Sequence, residues 1–181
     1  MIYIALLRGI NVGGNNIIKM EHLRQVFTNL GFSDVKTYIQ SGNIIFQTTE
    51  SDKLKLTQDI ENKLQINFST EIKTLILSSN QLAEIIAAAP ENFGSQPEKF
   101  RYDVWFLLPE TAIDNVVANV RLREGVDFLQ AGKNAVYTSR LSEKMGKSYL
   151  SKIIQTSVYK KITIRNWNTT TKLLEMTKTK N

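Results

Sequence analysis

Short apolar runs and helically spaced apolar residues alternate along the first half of the chain. An unbroken apolar run predicts a buried strand, and apolar residues three or four positions apart predict a helix with one buried face. The predicted elements are a strand at residues 2–7, a helix from Met20 that closes at Gly31, strands at 35–40 and 43–48 around Ser41-Gly42, a helix marked by Leu56, Ile60 and Leu64, and a strand at 72–77. This order, β-α-β-β-α-β, is that of the ferredoxin-like unit.

The same order of elements follows after a connecting segment. Ser79-Asn80 can cap a helix that Pro90 ends, and residues 90–99 are typical of a loop. The elements predicted beyond it are a strand at 101–108, a helix opened by Pro109, a hairpin of 126–131 and 134–139, a helix striped by Tyr149, Leu150, Ile153 and Ile154, a strand at 161–164, and a last helix after Asn168.

The repeated order predicts an α+β protein made of two duplicated ferredoxin-like halves, with antiparallel sheets and an extra C-terminal helix. We expect one half at residues 1–78, a connecting helix and loop at 79–99, and the second half with the C-terminal helix at 100–181. Tyr3–Leu7 and Tyr102–Leu108 should then be equivalent central strands, because both are apolar runs between helical segments.

The amino-acid composition of the chain excludes several kinds of catalytic and metal site. The chain has no cysteine and one histidine, which excludes disulfides, thiolate nucleophiles and zinc ribbons and argues against a His-centred triad. We expect no metal and no cofactor. No apolar run approaches the ~18 residues of a membrane span, and no signal sequence precedes the first strand. The expected location is the cytoplasm, without a membrane partner.

Charge is concentrated near the C-terminus. Residues 133–181 contain 11 Lys and Arg against 2 Asp and Glu, whereas residues 1–90 contain 8 of each. Such a surplus attracts nucleic acid or other anions, or is simply a solvated surface. In the third strand Phe46 shares a face with Ile44, which favours a core position over stacking on a nucleic-acid base.

The loop from Arg8 to Asn16 is the first candidate binding segment, because no equivalent loop is present in the second half. Gly13 and Gly14 allow close backbone approach, so successive N–H groups can form an anion nest, with Asn11 and Arg8 as side-chain donors. The alternative is a structural crossover in which the asparagines hold turns and Arg8 pairs with a carboxylate.

Two further segments are candidates. Arg165 and Asn166 can donate to a ligand beside the ring of Trp167, or Trp167 can anchor the last helix while Asn168 or Thr169 caps it. Asn43, at the predicted hairpin turn, is a binding candidate whose turn chemistry also explains it without a ligand.

These segments also carry a family resemblance. The stretch from Leu6 to Gly14, the stretch from Tyr38 to Ile44, and Arg165-Asn166-Trp167-Asn168-Thr169 resemble the bacterial family catalogued as domain of unknown function number 1697. The resemblance implies a two-part α+β protein of ferredoxin-like character, without an established activity or cofactor. Similar proteins often carry lysine where this chain has Asn15, and this departure weakens a phosphate-binding interpretation of the loop.

Three hypotheses for function remain. The first is a binding protein for a phosphorylated or nucleotide-like small ligand, with Arg8 and Arg165 lining one cleft between the halves. The second is a nucleic-acid-binding module that uses the basic C-terminal quarter, and the third is a self-associating module without a ligand. No nucleophile–base pair is visible, so the sequence leans away from catalysis without deciding it. The oligomeric state is open.

Overall fold

The computed structural model describes residues 1–11 and 17–178, which form two compact units. One unit comprises Met1–Leu82 together with the chain from Leu173 onwards, and the other comprises Ala83–Lys172. Each unit contains a four-stranded antiparallel sheet with helices between its strands, so the predicted α+β class is confirmed. No helix in the described ranges is both long and apolar enough to span a membrane.

The elements follow closely the order that the apolar pattern predicts. In the first part of the chain they are β1 (Ile2–Leu7), α1 (Met20–Asn29), β2 (Ser33–Tyr38), β3 (Asn43–Gln47), α2 (Lys53–Phe68), β4 (Thr74–Ser78) and α3 (Ser79–Ala87). They are followed by β5 (Phe100–Leu107), α4 (Ile113–Ala118), β6 (Asp127–Ala131), β7 (Ala135–Leu141), three 3-10 segments (Ser142–Lys147, Leu150–Gln155 and Ser157–Lys161), β8 (Ile162–Asn166) and α5 (Trp167–Lys178).

The first sheet has the strand order β2-β3-β1-β4, which places β1 inside it. α2 shows how the sequence builds the layer over this sheet. The Asp52 carboxylate accepts hydrogen bonds from the backbone N–H groups of Leu54 and Lys55 and so caps the start of the helix. Leu56, Ile60 and Leu64 then recur every four residues and are buried in the core.

The outer strand β2 is irregular. Its pairing with β3 shifts register between Ser33 and Lys36, a β-bulge, and Asp34 inside the bulge has a positive φ of 49°. By contrast, the inner strand β3 is almost wholly buried, and Phe46 lies in the core as its pattern predicts.

The second sheet has the order β6-β7-β5-β8, so β5 occupies the inner position that β1 occupies in the first sheet. The expectation that these two strands are central in their sheets is therefore confirmed. On one face of this sheet, Trp105 and Val136 form a core with α4 and the 3-10 segments. The opposite face carries the cleft described below.

Two predicted helices of the second half differ from the structure. The helix expected around Tyr149 is wrong: the chain forms 3-10 segments that are interrupted at Ser148 and Thr156, both with extended backbone. Leu150 and Ile153 are buried, as a 3-10 turn with three residues per turn requires, but Ile154 is 61% exposed. The helix expected to open at Pro109 begins only at Ile113.

That late start has a local cause. Glu110, directly after Pro109, has a φ of 63° and therefore lies in the left-handed region. A right-handed helix cannot continue through such a residue. α4 is consequently limited to Ile113–Ala118.

Candidate functional site

Asn11 closes the ends of the candidate loop. Its Oδ1 atom accepts the backbone N–H of Ile18 at 2.7 Å, and its Nδ2 atom donates to the carbonyls of Ile18 at 3.0 Å and Gln40 at 2.8 Å. Both donor hydrogens of the amide are thus engaged within the protein. Gly13 and Gly14, the predicted backbone donors, lie outside the described residues.

The loop start packs against the turn between β2 and β3. The backbone N–H of Leu7 donates to the Gly42 carbonyl at 2.8 Å. Gly42 has a φ of +71°, and a Cβ atom there would lie 2.8 Å from the Leu7 Cβ atom. Asn43 is fully buried, and its Nδ2 atom donates to Tyr38 O and Ser41 Oγ. The structure therefore brings two of the sequence segments together in one tightly closed turn.

Arg8 and Arg165 belong to different units. Arg8 is half-buried, and its backbone N–H donates to the carbonyl of Lys73. Arg165 is 8% exposed, and its Nη1 atom donates to Thr163 Oγ1 and to the Ile164 carbonyl. Burial lowers the pKa of the Arg165 guanidinium to about 10, while a charge interaction with Tyr159 opposes this shift. A ligand role for the two arginines stays a prediction.

Asn166 begins the last helix. Its Oδ1 atom accepts the backbone N–H of Asn168 at 3.1 Å, and its Nδ2 atom donates to the carbonyl of Tyr102 at 2.9 Å. Asn166, rather than the predicted Asn168 or Thr169, therefore makes the cap contact at the start of α5. The ring of Trp167 is half-buried and meets the ring of Phe93 edge to face, with centroids 5.1 Å apart.

A further candidate lies on the open face of the second sheet, and the sequence reasoning missed it. In the pairing of β5 and β6 with β7, Tyr102 and Phe128 both lie opposite Ser139, and Gln130 lies opposite Tyr137. These five side chains therefore share one face of the sheet. With Phe93 and Phe100 they line a cleft of about 420 Å³, which we call the aromatic cleft.

Rings build its walls. Phe93, from the loop after α3, meets Tyr102 and Tyr137 edge to face at 4.9 and 5.6 Å between centroids. Phe100 meets Phe128 in the same way at 5.8 Å, and Phe128 is 47% exposed. The cleft therefore has a packed floor and one aromatic wall that faces solvent.

Polar groups surround these rings. The side chains of Asn92, Gln130 and Ser139 line the cleft and make no hydrogen bond within the part of the chain that the structure describes. Tyr137 is different, because its hydroxyl donates to the carbonyl of Ile85. Of the described residues that line the cleft, Glu91 alone is charged. This described lining thus offers amide and hydroxyl groups to a ligand, but no arginine or lysine.

The missed signal was the alternation of aromatic residues in β5. Phe100 and Tyr102 are two positions apart and so project from one face of a strand. Arg101 and Asp103 alternate with these two rings, but the apolar residues 104–108 that follow favour reading the whole segment as a buried strand. Phe128 and Tyr137 join the same face only through the register of the hairpin, which the sequence alone does not supply. Among the described residues, no group of three or more His, Asp or Glu side chains is placed to hold a metal ion.

Comparison with known proteins assigns the chain to a family but gives no activity. The structure is similar to that of the conserved bacterial protein SP0830 from Streptococcus pneumoniae, with a TM-score of 0.83 and 31% sequence identity over 98% of each chain. No curated protein matches this sequence. The model of the family described as protein of unknown function (DUF1697) matches residues 1–137, which is most of the chain. The chain therefore belongs to the DUF1697 family.

Proposed function

We propose that this protein binds a nucleotide-like small ligand and that the aromatic cleft holds the base. The observation that carries the proposal is one cleft of about 420 Å³ that combines aromatic rings with unengaged amide and hydroxyl groups. Small-molecule sites are commonly apolar clefts of ~300–1,000 Å³ with a few convergent polar groups. This cleft has that size and composition.

A planar heteroaromatic ring fits the chemistry of the walls. Stacking of a base on an aromatic side chain contributes ~1–3 kcal/mol, and Phe128 has the solvent-facing ring for it. The amides of Gln130 and Asn92 each supply both a donor and an acceptor, which suits the edge of a base. The ligand of the first hypothesis is thus kept, with the base as the recognised group.

The charge of the cleft separates base recognition from phosphate recognition. The lining residues that the structure describes include no lysine or arginine, and Glu91 repels an anion. A phosphate on the ligand would therefore point to solvent and add little affinity. At the aromatic cleft we therefore expect adenosine and its monophosphate to bind with similar affinity.

The test is a calorimetric titration of the full chain with adenosine, with its monophosphate, and with a short single-stranded oligonucleotide. Phe128→Ala should weaken binding ~5- to 150-fold through the lost stacking energy. Ile154→Ala is the matched control, because Ile154 is an exposed apolar residue on the other layer of the same unit. It should leave the affinity unchanged.

Three results would overturn the proposal. Equal losses in the two variants would show that Phe128 does not stack. Binding of none of the three probes would remove the base as ligand. Binding of a tetramethylammonium ion in place of the probes would identify the rings and Glu91 as a cation cage.

The source of the base is decided by the same titrations. A single strand is the second candidate because the open face of an antiparallel sheet carries the rings and residues 133–181 carry the positive charge. Strand binding should weaken steeply with added salt, whereas adenosine binding should not.

A history of internal duplication is also part of this proposal, as is a cytoplasmic location. The identical positions of β1 and β5 in their sheets support the duplication. Structures of further family members should keep the two strand orders together; a member with a different order in one sheet would count against it. Fractionation of cells that express the tagged protein tests the location.

A further inference from the structure

A second cleft lies in the helical layer on the other face of the second sheet. It has a volume of about 310 Å³, and its lining includes Asn119, Arg121, Tyr149, Lys152 and Gln155. We call it the basic cleft. Arg121 and Lys152 are its charged lining residues, so its electrostatic character is the reverse of the aromatic cleft.

The 3-10 geometry places a lysine over a tyrosine. The backbone N–H of Lys152 donates to the Tyr149 carbonyl, which is the i to i+3 bond of a 3-10 turn. Side chains three residues apart lie above one another in this geometry, and the Lys152 Nζ atom lies 4.5 Å from the centroid of the Tyr149 ring. The guanidinium of Arg123 lies 5.4 Å from the same ring.

A buried carboxylate holds the two segments in place. Asp127 is almost fully buried, and its Oδ2 atom accepts the backbone N–H groups of Arg123 at 2.9 Å and Tyr149 at 2.7 Å. It therefore fixes the backbone that carries Arg123 against the backbone that carries the Tyr149 ring. Asp127 is a positioning residue for the cations around that ring.

Arg121, Arg123 and Lys152 form no ion pair with a carboxylate within the described ranges of the chain. The three positive charges stand against two carboxylates, buried Asp127 and exposed Glu124, which leaves a net charge of +1. This surplus is opposite in sign to a phosphate monoester, which carries about −1.5 to −2 charges at pH 7.

We propose that the basic cleft binds a phosphate group. Arg121 and Lys152 supply charged donors, and the Gln155 side-chain amide adds a neutral one. Stacking on Tyr149 holds the Lys152 ammonium in the cleft before a ligand arrives, which reduces the entropy lost on binding. The phosphate can belong to a small ester or to a nucleic-acid backbone, since both present the same group.

The experiment is a titration of the isotope-labelled full chain with inorganic phosphate, followed by NMR at the backbone amides of residues 119–123 and 149–156. We expect a saturable response in both segments. The double variant Arg121→Gln/Lys152→Gln should bind phosphate at least ~10-fold more weakly, because two charged hydrogen-bond donors are lost. Both substituted side chains are exposed, so the variant should fold like the unchanged protein, with only a small loss of thermal stability from the missing contact between Lys152 and the Tyr149 ring.

The control removes the same charge elsewhere. Lys133→Gln/Lys178→Gln replaces two exposed lysines outside the cleft and should bind phosphate like the unchanged protein. Equal weakening in the two double variants would show a diffuse attraction to net charge and would overturn the proposal. Absence of any saturable response to phosphate and to a single strand would overturn it as well.

A titration with a single-stranded oligonucleotide shows which kind of molecule carries the phosphate group. If a single-stranded oligonucleotide binds far more tightly than phosphate and loses this affinity in Arg121→Gln/Lys152→Gln, the phosphate belongs to nucleic acid. Adenosine binding at the aromatic cleft should be unaffected by this double variant, so failure at one cleft does not decide the other.

Discussion

Replacing Gly94 by alanine should destabilise the second unit through two separable costs. Gly94 has a φ of +87°, where an L side chain costs ~1–2 kcal/mol. A Cβ atom at this position would also overlap the Cδ1 and Nε1 atoms of the Trp167 ring. Displacing a packed ring typically costs ~1–3 kcal/mol more. The expected loss in the free energy of unfolding is therefore about 2–5 kcal/mol.

Gly125 provides the matched control. It has a φ of +66°, but a Cβ atom there meets nothing within 4 Å. Gly125→Ala should therefore show the backbone cost alone, ~1–2 kcal/mol. The difference between the two variants measures the overlap with the Trp167 ring.

Urea unfolding followed by tryptophan fluorescence is the assay. The two tryptophans of the chain, Trp105 and Trp167, both belong to the second unit, so the signal reports on that unit. In a Trp167→Ala background the cost of Gly94→Ala should fall to that of Gly125→Ala, because the ring is gone. Equal costs for Gly94→Ala and Gly125→Ala in the unchanged background would refute the contact between this loop and Trp167.

Three further expectations concern hydrogen bonds of Tyr137 and Asp52. Tyr137→Phe removes the donor to the buried Ile85 carbonyl and should cost ~1–3 kcal/mol at neutral pH by urea unfolding; a cost near zero would show that this bond is not formed. Burial raises the pKa of the Tyr137 hydroxyl above its ordinary value of 10.0, so the hydroxyl ionises at a higher pH in the folded state than in the unfolded state. The difference in the free energy of unfolding between the unchanged protein and Tyr137→Phe should therefore shrink as pH rises above 10.0. A difference that stays constant with pH would contradict this shift. Asp52→Ala removes the cap of α2 and should cost ~1 kcal/mol, with Asp52→Asn, which retains a capping oxygen, costing less; equal melting temperatures for all three proteins would contradict the cap.

Most of the fold could be predicted from the local pattern of apolar residues in the sequence, whereas the two clefts could not. The stripe of Leu56, Ile60 and Leu64 and the run of β1 specify their elements through burial alone, so period and length were sufficient. The helix predicted around Tyr149 failed because apolar spacing of three and four residues does not distinguish an α-helix from successive 3-10 turns.

Predicted site residues illustrate a different limit. Arginine, asparagine and glycine in a loop are suited to contacts both with ligands and with the protein's own backbone, and only the folded structure shows which groups they contact. The side-chain amides of Asn11 and Asn166 form hydrogen bonds with the protein's own backbone. The aromatic cleft depends on the cross-strand register of Tyr102, Ser139 and Phe128, a non-local property that no short motif encodes.

The bulge in β2 bears on how the protein remains dispersed. β2 is an outer strand, and outer strands with regular spacing are templates for aggregation. The register shift at Asp34 interrupts the regular row of backbone amide and carbonyl groups that an incoming strand would need. The charged side chain of Lys36 on the same strand also opposes pairing with a second strand. Self-association through this edge is therefore disfavoured. Deleting Asp34 should straighten the strand, and light scattering during heating should then rise at a lower temperature than for the unchanged chain; an unchanged onset would show that the bulge has no protective role.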